Sequence, residues 1–241
     1  MEELDSSKLG TKEHWDDVYE TEVDNFVDHG EEGEIWFGQD SVEKMVAWVQ
    51  DHVTDLSTPT IDLGCGNGHL LFELEALGYT HLVGVDYSEK AVELAQHISA
   101  SHTPPSRSVF ARLDILSMPD LSGTLVPNST SHLGRYKLAL DKGTLDAISL
   151  SASTDAVSPA DVYVQTVASM LEPGGVLLIT SCNWTEPELI ARFCGQNTET
   201  VDAAACSGGR RFEYMDRVTY PVFRFGGAVG QTITTIALRR L

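Results

Sequence analysis

The stretch that decides the fold is Ile61-Asp62-Leu63-Gly64-Cys65-Gly66-Asn67-Gly68, in which an apolar run ends in three closely spaced glycines. The run Thr60–Leu63 predicts a buried strand, and a helix is predicted after the glycines, running through Leu77. Glycines between a strand and a helix let the backbone approach a ligand closely. The stretch therefore indicates an α/β fold with a ligand site at the end of this strand.

Strands and helices are predicted to alternate along the rest of the chain. Further strands are expected at His81–Val85, Ser108–Leu113, Tyr136–Leu140 and Val176–Ser181, with β-like stretches at Arg211–Val222 and Gln231–Leu238. Helices are expected at Lys12–Phe26, after a cap at Asp40 or Ser41, from a Ser88 cap through Ile98, at about Asp161–Leu171 and at Glu186–Phe193. A Pro-Gly-Gly turn is expected before the fifth strand. This alternation predicts a Rossmann-like α/β fold, with a seven-stranded, mostly parallel sheet and helices on both faces.

The chain is predicted to form one domain with a covering segment. Residues 1–58 are expected to be a helical cap integral to a domain that spans residues 59–241. Within the cap, Gly33–Gly38 is too apolar for an idle linker, and it either packs on the sheet edge or covers a ligand. Polar segments are expected to be surface loops at Ser101–Ser108, Ser122–Gly134 and Ser151–Ala160, with a flexible insertion at Gly195–Gly209.

Composition and charge exclude several partners. The 241 residues contain 16 Lys and Arg against 36 Asp and Glu, giving a formal net charge of −20. Binding to nucleic acid or to an anionic membrane surface would need clustered basic residues, so neither is expected. The N-terminal sequence is acidic and polar, no apolar run is long enough to span a bilayer, and the four cysteines lack metal-ligand spacing. We therefore expect a cytoplasmic protein with reduced thiols and no metal site.

Four carboxylates are predicted at the ends of consecutive strands: Asp62, Asp86, Asp114 and Asp141. Ligands of open α/β sheets bind outside the carboxyl ends of the strands. Asp62 would repel a pyrophosphate but attract a cation, Asp86 can accept both ribose hydroxyls, and Asp114 can accept from an adenine amine. Any one of these residues taken alone could instead cap a turn or a helix. Together they predict a site for a cationic nucleoside.

From Thr60 to Ile179, the glycine loop and these carboxylates resemble the class I S-adenosylmethionine-dependent methyltransferases. The resemblance implies S-adenosylmethionine as the cofactor. It implies cofactor contacts at Asp62, Gly64, Gly66, Gly68, Asp86, Asp114 and Asp141. Tyr87 either flanks the adenine or simply packs in the fold.

Other stretches are similar to one family in particular, the lysine methyltransferases that modify translation elongation factor 1-alpha. They are Ser7–Asp16, Gly33–Gly38, Asp141–Leu150, Ser181–Thr185 and Phe225-Gly226-Gly227 with Gly230-Gln231-Thr232. This resemblance implies an elongation-factor lysine as the acceptor and a lysine channel shaped by Trp36 and Phe37. It also implies that Asp141 orients the acceptor, while Trp184 belongs either to the channel or to the core.

Three other functions are weighed against this one. A small-molecule methyltransferase would share the whole cofactor half of the site, and an inactive partner subunit would share the fold. An NAD-dependent oxidoreductase is disfavoured because Asp62 would face a pyrophosphate. The sequence leaves the oligomeric state open, with a monomer as our expectation.

Overall fold

The structure is a computed structural model that describes residues 4–117, 136–152, 157–195, 211–221, 223–225, 228–230 and 232–241. The predicted loop at Ser122–Gly134, most of the insertion at Gly195–Gly209, and Gly226-Gly227 lie outside the described residues. The helices are α1 (Lys12–His29), α2 (Gly38–His52), α3 (His69–Ala76), α4 (Glu89–Ser101), α5 (Thr144–Ser149), α6 (Pro159–Met170) and α7 (Glu186–Cys194). The strands are β1 (Thr60–Leu63), β2 (Leu82–Asp86), β3 (Val109–Arg112), β4 (Tyr136–Lys142), β5 (Leu171–Ser181), β6 (Phe212–Val218), β7 (Phe223–Phe225), β8 (Ala228–Gly230) and β9 (Thr234–Arg240).

Seven strands form one sheet in the order β3-β2-β1-β4-β5-β9-β6, and β7 and β8 form a separate hairpin. Strands β1 to β5 run parallel, whereas β9 pairs antiparallel with β5 and β6 pairs antiparallel with β9. The predicted seven-stranded, mostly parallel sheet is confirmed. The chain order reverses between β1 and β4, which is where ligands of such sheets bind.

Both faces of the sheet are covered, so its strands are apolar on both sides. Along β4, Ala139 packs in a core with α6 and α7, while Leu138 and Leu140 pack in a second core with α2 and α3. In the central strand β1, Thr60–Leu63 is buried at every position. The continuous apolar runs in the sequence follow from this double coverage.

The N-terminal helices pack on the domain. Thr11 caps α1 by accepting a hydrogen bond from the His14 amide, and the apolar face of α1, with Tyr19 and Val23, packs against α4. Before α1, the Ser7 amide donates to the Leu150 carbonyl at 3.0 Å. These contacts agree with a cap integral to the domain, although its division at residue 58 stays a prediction.

Three local features differ from the sequence prediction. Helix α2 begins at Gly38. Its N-cap residue is Phe37, which has a left-handed backbone with a φ of 63°, so neither Asp40 nor Ser41 is the cap. The Pro-Gly-Gly segment lies inside β5, where the pairing jumps from Tyr136–Leu171 to Leu138–Val176. The third difference is α5, which was not predicted because six residues are too few to display a helical period.

The cap of α4 provides a test of how the N-terminal segment is attached. Ser88 Oγ accepts from the Ala91 amide and donates to Asp16 of α1 at 2.7 Å. We expect Ser88→Ala to lower the free energy of unfolding by about 1–2 kcal/mol, measured by urea denaturation. Ser101→Ala, at the exposed end of the same helix, should change it by less than about 0.5 kcal/mol. Equal effects of the two substitutions would contradict the attachment.

Candidate active site

A cavity of about 240 Å³ lies at the carboxyl edge of the sheet, where the chain order reverses between β1 and β4. Its lining comes from three parts of the chain: the N-terminal segment, the loops after β1, β2 and β3, and the segments after β4 and β5. Of the predicted site residues, the lining includes Gly64, Gly66, Asp86, Tyr87, Asp114, Trp36 and Phe37. Asp62, Gly68 and Asp141 do not line it.

The glycine loop is held against α5. Gly64 has a φ of 67°, and a Cβ there would lie 2.1 Å from Thr144 Oγ1. That hydroxyl donates to the Leu63 carbonyl at 2.6 Å, so the turn after β1 and the start of α5 are fixed together. Gly68 packs against the rings of Phe110 and Phe72, which leave no room for a Cβ at this position.

Asp86 and Asp114 lie on the β2–β3 side of the cavity. The carboxylate of Asp86 is 5% exposed and accepts from the Gly66 amide at 3.1 Å and the Ser88 amide at 2.9 Å. Burial raises its pKa to about 6, while these two hydrogen bonds act in the opposite direction. Asp114 accepts from Leu116 N at 3.0 Å, so it caps a turn and lines the cavity at the same time.

Tyr87 also lies on this side. Tyr87 lines the cavity, and its hydroxyl donates to the Thr11 carbonyl of the N-terminal segment at 3.4 Å. Burial, followed by the charge of Asp86, raises the pKa of its phenol. Tyr87 therefore both packs against the N-terminal segment and presents an aromatic ring to the cavity.

Asp62 is a buried carboxylate, 3% exposed, that accepts no side-chain or backbone hydrogen bond within the described part of the chain. Burial raises its pKa, the Lys142 ammonium lowers it, and the charges of Asp141 and Asp86 raise it further. Burial lowers the pKa of Lys142 in turn, whereas Asp62 raises it. Within the described residues, the Lys142 charge is the one cation that lowers the pKa of the buried Asp62 carboxyl.

Asp141 is placed differently from the prediction. It lies inside β4 and is fully buried, with its carboxylate accepting from Thr144 N at 2.8 Å, Leu145 N at 3.1 Å and the Tyr163 hydroxyl. Burial raises its pKa to about 7. These partners tie Asp141 to the start of α5, and because it lies outside the cavity lining, its contact with cofactor or acceptor stays a prediction. A strand-end position alone does not say which way a side chain points.

Trp36 and Phe37 bring the N-terminal segment over the cavity. The Trp36 ring meets Trp15 edge-on at 4.9 Å, and its carbonyl accepts from Lys142 Nζ at 3.0 Å. Phe37 lies against Gly143, where a Cβ would be 2.9 Å from its ring. Gly143 has a φ of 92°, so both its conformation and its lack of a side chain are needed here. Of the two interpretations of Gly33–Gly38, covering a ligand site fits this arrangement.

The sequence analysis did not single out Asp146, Lys142 or Asn183, all of which line the cavity. Asp146 lies in the unpredicted α5, and an acid in the first turn of a helix after a strand was the signal that could have found it. Trp184 is not in the lining: it is 4% exposed in the core, and its Nε1 donates to Ser149 Oγ at 3.3 Å.

No group of three or more His, Cys, Asp or Glu side chains that could hold a metal ion occurs within the described residues. Among the helices described, none is both long enough and apolar enough to cross a membrane.

A doubly covered sheet of this topology, with a glycine loop after β1 and buried carboxylates at its strand ends, defines the class I methyltransferase fold. Comparison with known proteins agrees. The methyltransferase domain profile matches residues 55–227. A crystal structure of magnesium protoporphyrin IX methyltransferase from Synechocystis, solved with bound S-adenosylmethionine, superposes with a TM-score of 0.57 at 16% identity, over 93% of this chain and 97% of that one.

Curated relatives resemble the chain over nearly its whole length. Protein-lysine N-methyltransferase efm4 of Schizosaccharomyces pombe is 40% identical, over 99% of this chain and 97% of its own. EEF1A lysine methyltransferase 2 of Homo sapiens is 34% identical, over 98% of this chain and 88% of its own. The chain belongs to this family of protein-lysine methyltransferases, and the predicted class and family are confirmed.

The burial of Asp141 leads to a test of its structural role. Tyr163→Phe removes one donor from a fully buried carboxylate, so we expect the free energy of unfolding to fall by about 1–3 kcal/mol in urea denaturation. Tyr214→Phe is the matched control, because Tyr214 is 38% exposed and its hydroxyl bonds to Glu186 on the surface. It should change stability by less than about 0.5 kcal/mol. A neutral Tyr163→Phe would contradict the contribution of the Tyr163 hydroxyl to compensating the buried Asp141 carboxylate.

Proposed function

We propose that this protein transfers a methyl group from S-adenosylmethionine to the side-chain amine of a lysine in translation elongation factor 1-alpha. The observation that carries the proposal is the pair of buried carboxylates, Asp62 and Asp86, at the carboxyl ends of β1 and β2. Such a pair suits a ligand that has both ribose hydroxyls and positive charge. The family relationship supports the choice of a lysine acceptor.

The residues present fit the cofactor. Asp62 lacks a hydrogen-bond donor among the described residues and would receive the ammonium of the methionine part, while Asp86 would accept from the ribose. Asp114 and Tyr87 would flank the adenine, with Gly64 and Gly66 giving the backbone close access. When bound, S-adenosylmethionine supplies a methyl group on a sulfonium, which a neutral amine can displace.

The contribution of the protein to the reaction is positioning and exclusion of water. Trp36 and Phe37 would cover the acceptor side chain, and holding both reactants in one orientation removes a large entropic barrier. A lysine must lose a proton before it can act as a nucleophile, and an apolar surrounding lowers its pKa. Asp141 would act indirectly in this scheme, by fixing the start of α5 beneath the cavity.

Charge supports a basic protein partner. The net charge of −20 would steer a positively charged acceptor region towards the cavity, and this effect should weaken with salt. We further propose that the protein acts in the cytoplasm, as a monomer, without direct contact to nucleic acid.

The fold by itself does not select the reaction. The [4+2]-cyclase SpnF superposes with a TM-score of 0.52 at 16% identity, covering 75% of this chain and 62% of that one, although it is named for a different reaction. A small-molecule methyltransferase and an inactive partner subunit are therefore outcomes that the experiment must be able to return.

The direct test is to incubate the purified protein with radiolabelled S-adenosylmethionine and purified elongation factor 1-alpha. We expect label on a lysine of the factor, located by mass spectrometry, and loss of more than about 95% of it for Asp62→Ala with Asp86→Ala, which removes both buried carboxylates. Asp51→Asn, an exposed substitution, should behave as the unsubstituted protein.

Three other results would overturn the assignment in different ways. In a parallel incubation with a cell extract, label only in small molecules would keep the cofactor and replace the acceptor. Label on protein residues other than lysine would contradict the amine as nucleophile. Cofactor binding in calorimetry without label anywhere would favour the inactive partner subunit.

The raised pKa values predict how cofactor affinity depends on pH. In the free protein Asp62 and Asp86 hold protons to a higher pH than usual, with the pKa of Asp86 at about 6. A cationic ligand favours their ionised forms, so binding must release protons, and affinity should increase from about pH 5.5 to 7.5. Calorimetry in two buffers of different ionisation enthalpy measures the release.

The matched variant for this measurement is Asp62→Asn, which should bind more weakly and release fewer protons. An affinity that stays flat or falls across this pH range would contradict the proposed role of the two carboxylates.

A further inference from the structure

Asp146 is the one acid in the described lining that lies on the β4–β5 side of the cavity. The described lining has three other acids: Glu34 in the N-terminal segment, Asp86 at the end of β2 and Asp114 after β3. Asp86 and Asp114 belong to the side that the proposed function gives to the nucleoside. Asp146 follows β4, two strands away in the sheet order from β2, and so belongs to the opposite side.

The carboxylate of Asp146 is held rigidly. One oxygen accepts from Ser181 Oγ and the other from the Cys182 amide at 2.8 Å, so the end of β5 fixes it from below. The residue is 5% exposed and lines the cavity. A carboxylate has about four lone-pair positions. Besides these two bonds, the Cys182 thiol and the Asn183 amide also lower its pKa as hydrogen-bond donors, so the opening left for a ligand is the part of the residue that lines the cavity.

This placement matters because a second buried carboxylate close by does not line the cavity. Asp141, five residues earlier, accepts from two backbone amides of α5 and from Tyr163, and lies outside the cavity lining. Asp146 has the exposure to the cavity that Asp141 lacks. Burial raises the pKa of Asp146, and the Ser181 hydrogen bond lowers it, so the protein supplies donors that favour the anion.

We propose that Asp146 is the residue that receives the cationic acceptor side chain and holds its amine on the β4–β5 side of the cavity. The proposal rests on the proposed function for the identity of the acceptor as a lysine, but its chemistry requires only a primary alkyl ammonium. A buried, preorganised carboxylate binds such a group by a charge-assisted hydrogen bond. Cys182 and Asn183, which line the cavity beside it, complete this part of the wall.

The neighbouring acid Glu34 provides a rival explanation. It also lines the cavity, but its side chain is exposed on the N-terminal segment. An exposed carboxylate contributes little to binding, because water screens it. Glu34→Gln is therefore the comparison that separates a buried acceptor site from general attraction by surface acids.

The first experiment measures turnover on elongation factor 1-alpha for Asp146→Asn, which keeps the shape of the side chain and removes its charge. We expect the KM for the protein acceptor to rise about tenfold or more, while the dissociation constant for S-adenosylmethionine stays within about twofold. Glu34→Gln and the surface control Asp51→Asn should each change that KM by less than about threefold. A merely structural role for Asp146 would weaken cofactor binding together with acceptor binding.

The second experiment needs no turnover. n-Butylammonium, which has the chemistry of a lysine side chain, is added to the protein saturated with S-adenosylhomocysteine, and its binding is followed by saturation-transfer NMR. We expect a signal for the unsubstituted protein, its loss for Asp146→Asn, and its partial retention for Asp146→Glu, which keeps the charge. Melting temperatures are measured alongside, so that loss of fold is seen separately.

The two experiments distinguish failure of the inference from failure of the proposed function. If elongation factor 1-alpha is not methylated but n-butylammonium binds through Asp146, the acceptor assignment falls and the role of Asp146 stands. If the factor is methylated and Asp146→Asn matches the unsubstituted protein in both experiments, the role of Asp146 is wrong. A loss for Glu34→Gln in place of Asp146→Asn would also overturn it.

Discussion

The site depends on the burial of negative charge at the carboxyl edge of the sheet. Asp62, Asp86 and Asp141 are each at most 5% exposed, and each has its pKa raised chiefly by burial. Isolated carboxylates in such surroundings are costly unless hydrogen bonds or an opposite charge compensate them. Asp141 is compensated by the start of α5 and Asp86 by two backbone amides, whereas Asp62 has only the Lys142 charge within the described chain. Asp62 is therefore the least compensated of the three within the described residues.

The same charge organises the N-terminal segment. Lys142 lies at the end of β4, where the charge of Asp62 raises its pKa, and its ammonium donates to the Trp36 carbonyl at 3.0 Å. After β2, the Tyr87 hydroxyl donates to the Thr11 carbonyl, and the Ser88 hydroxyl donates to the Asp16 carboxylate. Residues beside the buried carboxylates thus anchor the segment that covers the cavity. This explains why a lysine lies in a cavity proposed to bind cations: its ammonium donates to a carbonyl of the covering segment, and its charge lowers the pKa of Asp62.

Much of this arrangement follows from local sequence, and the part that does not has a physical reason. The strand Thr60–Leu63 and the Ser88 cap were predicted because a short apolar run and an N-cap serine act through their immediate neighbours. Asp141 was predicted in the right strand, but its hydrogen-bond partners lie in α5 and at Tyr163, which local sequence does not reveal, so its contact with the cofactor stays a prediction. Asp146 was missed because its importance comes from the end of β5, 35 residues later in the sequence.

The most direct test of the account is a crystal structure of the protein with bound S-adenosylhomocysteine. The account predicts the ribose on Asp86, the adenine between Tyr87 and Asp114, and the amino group of the homocysteine part at Asp62. It also predicts that Asp146 remains free of the ligand and open to the β4–β5 side of the cavity. A ligand bound elsewhere, or an amino group directed away from Asp62, would contradict the claim that buried carboxylates at these strand ends define the site.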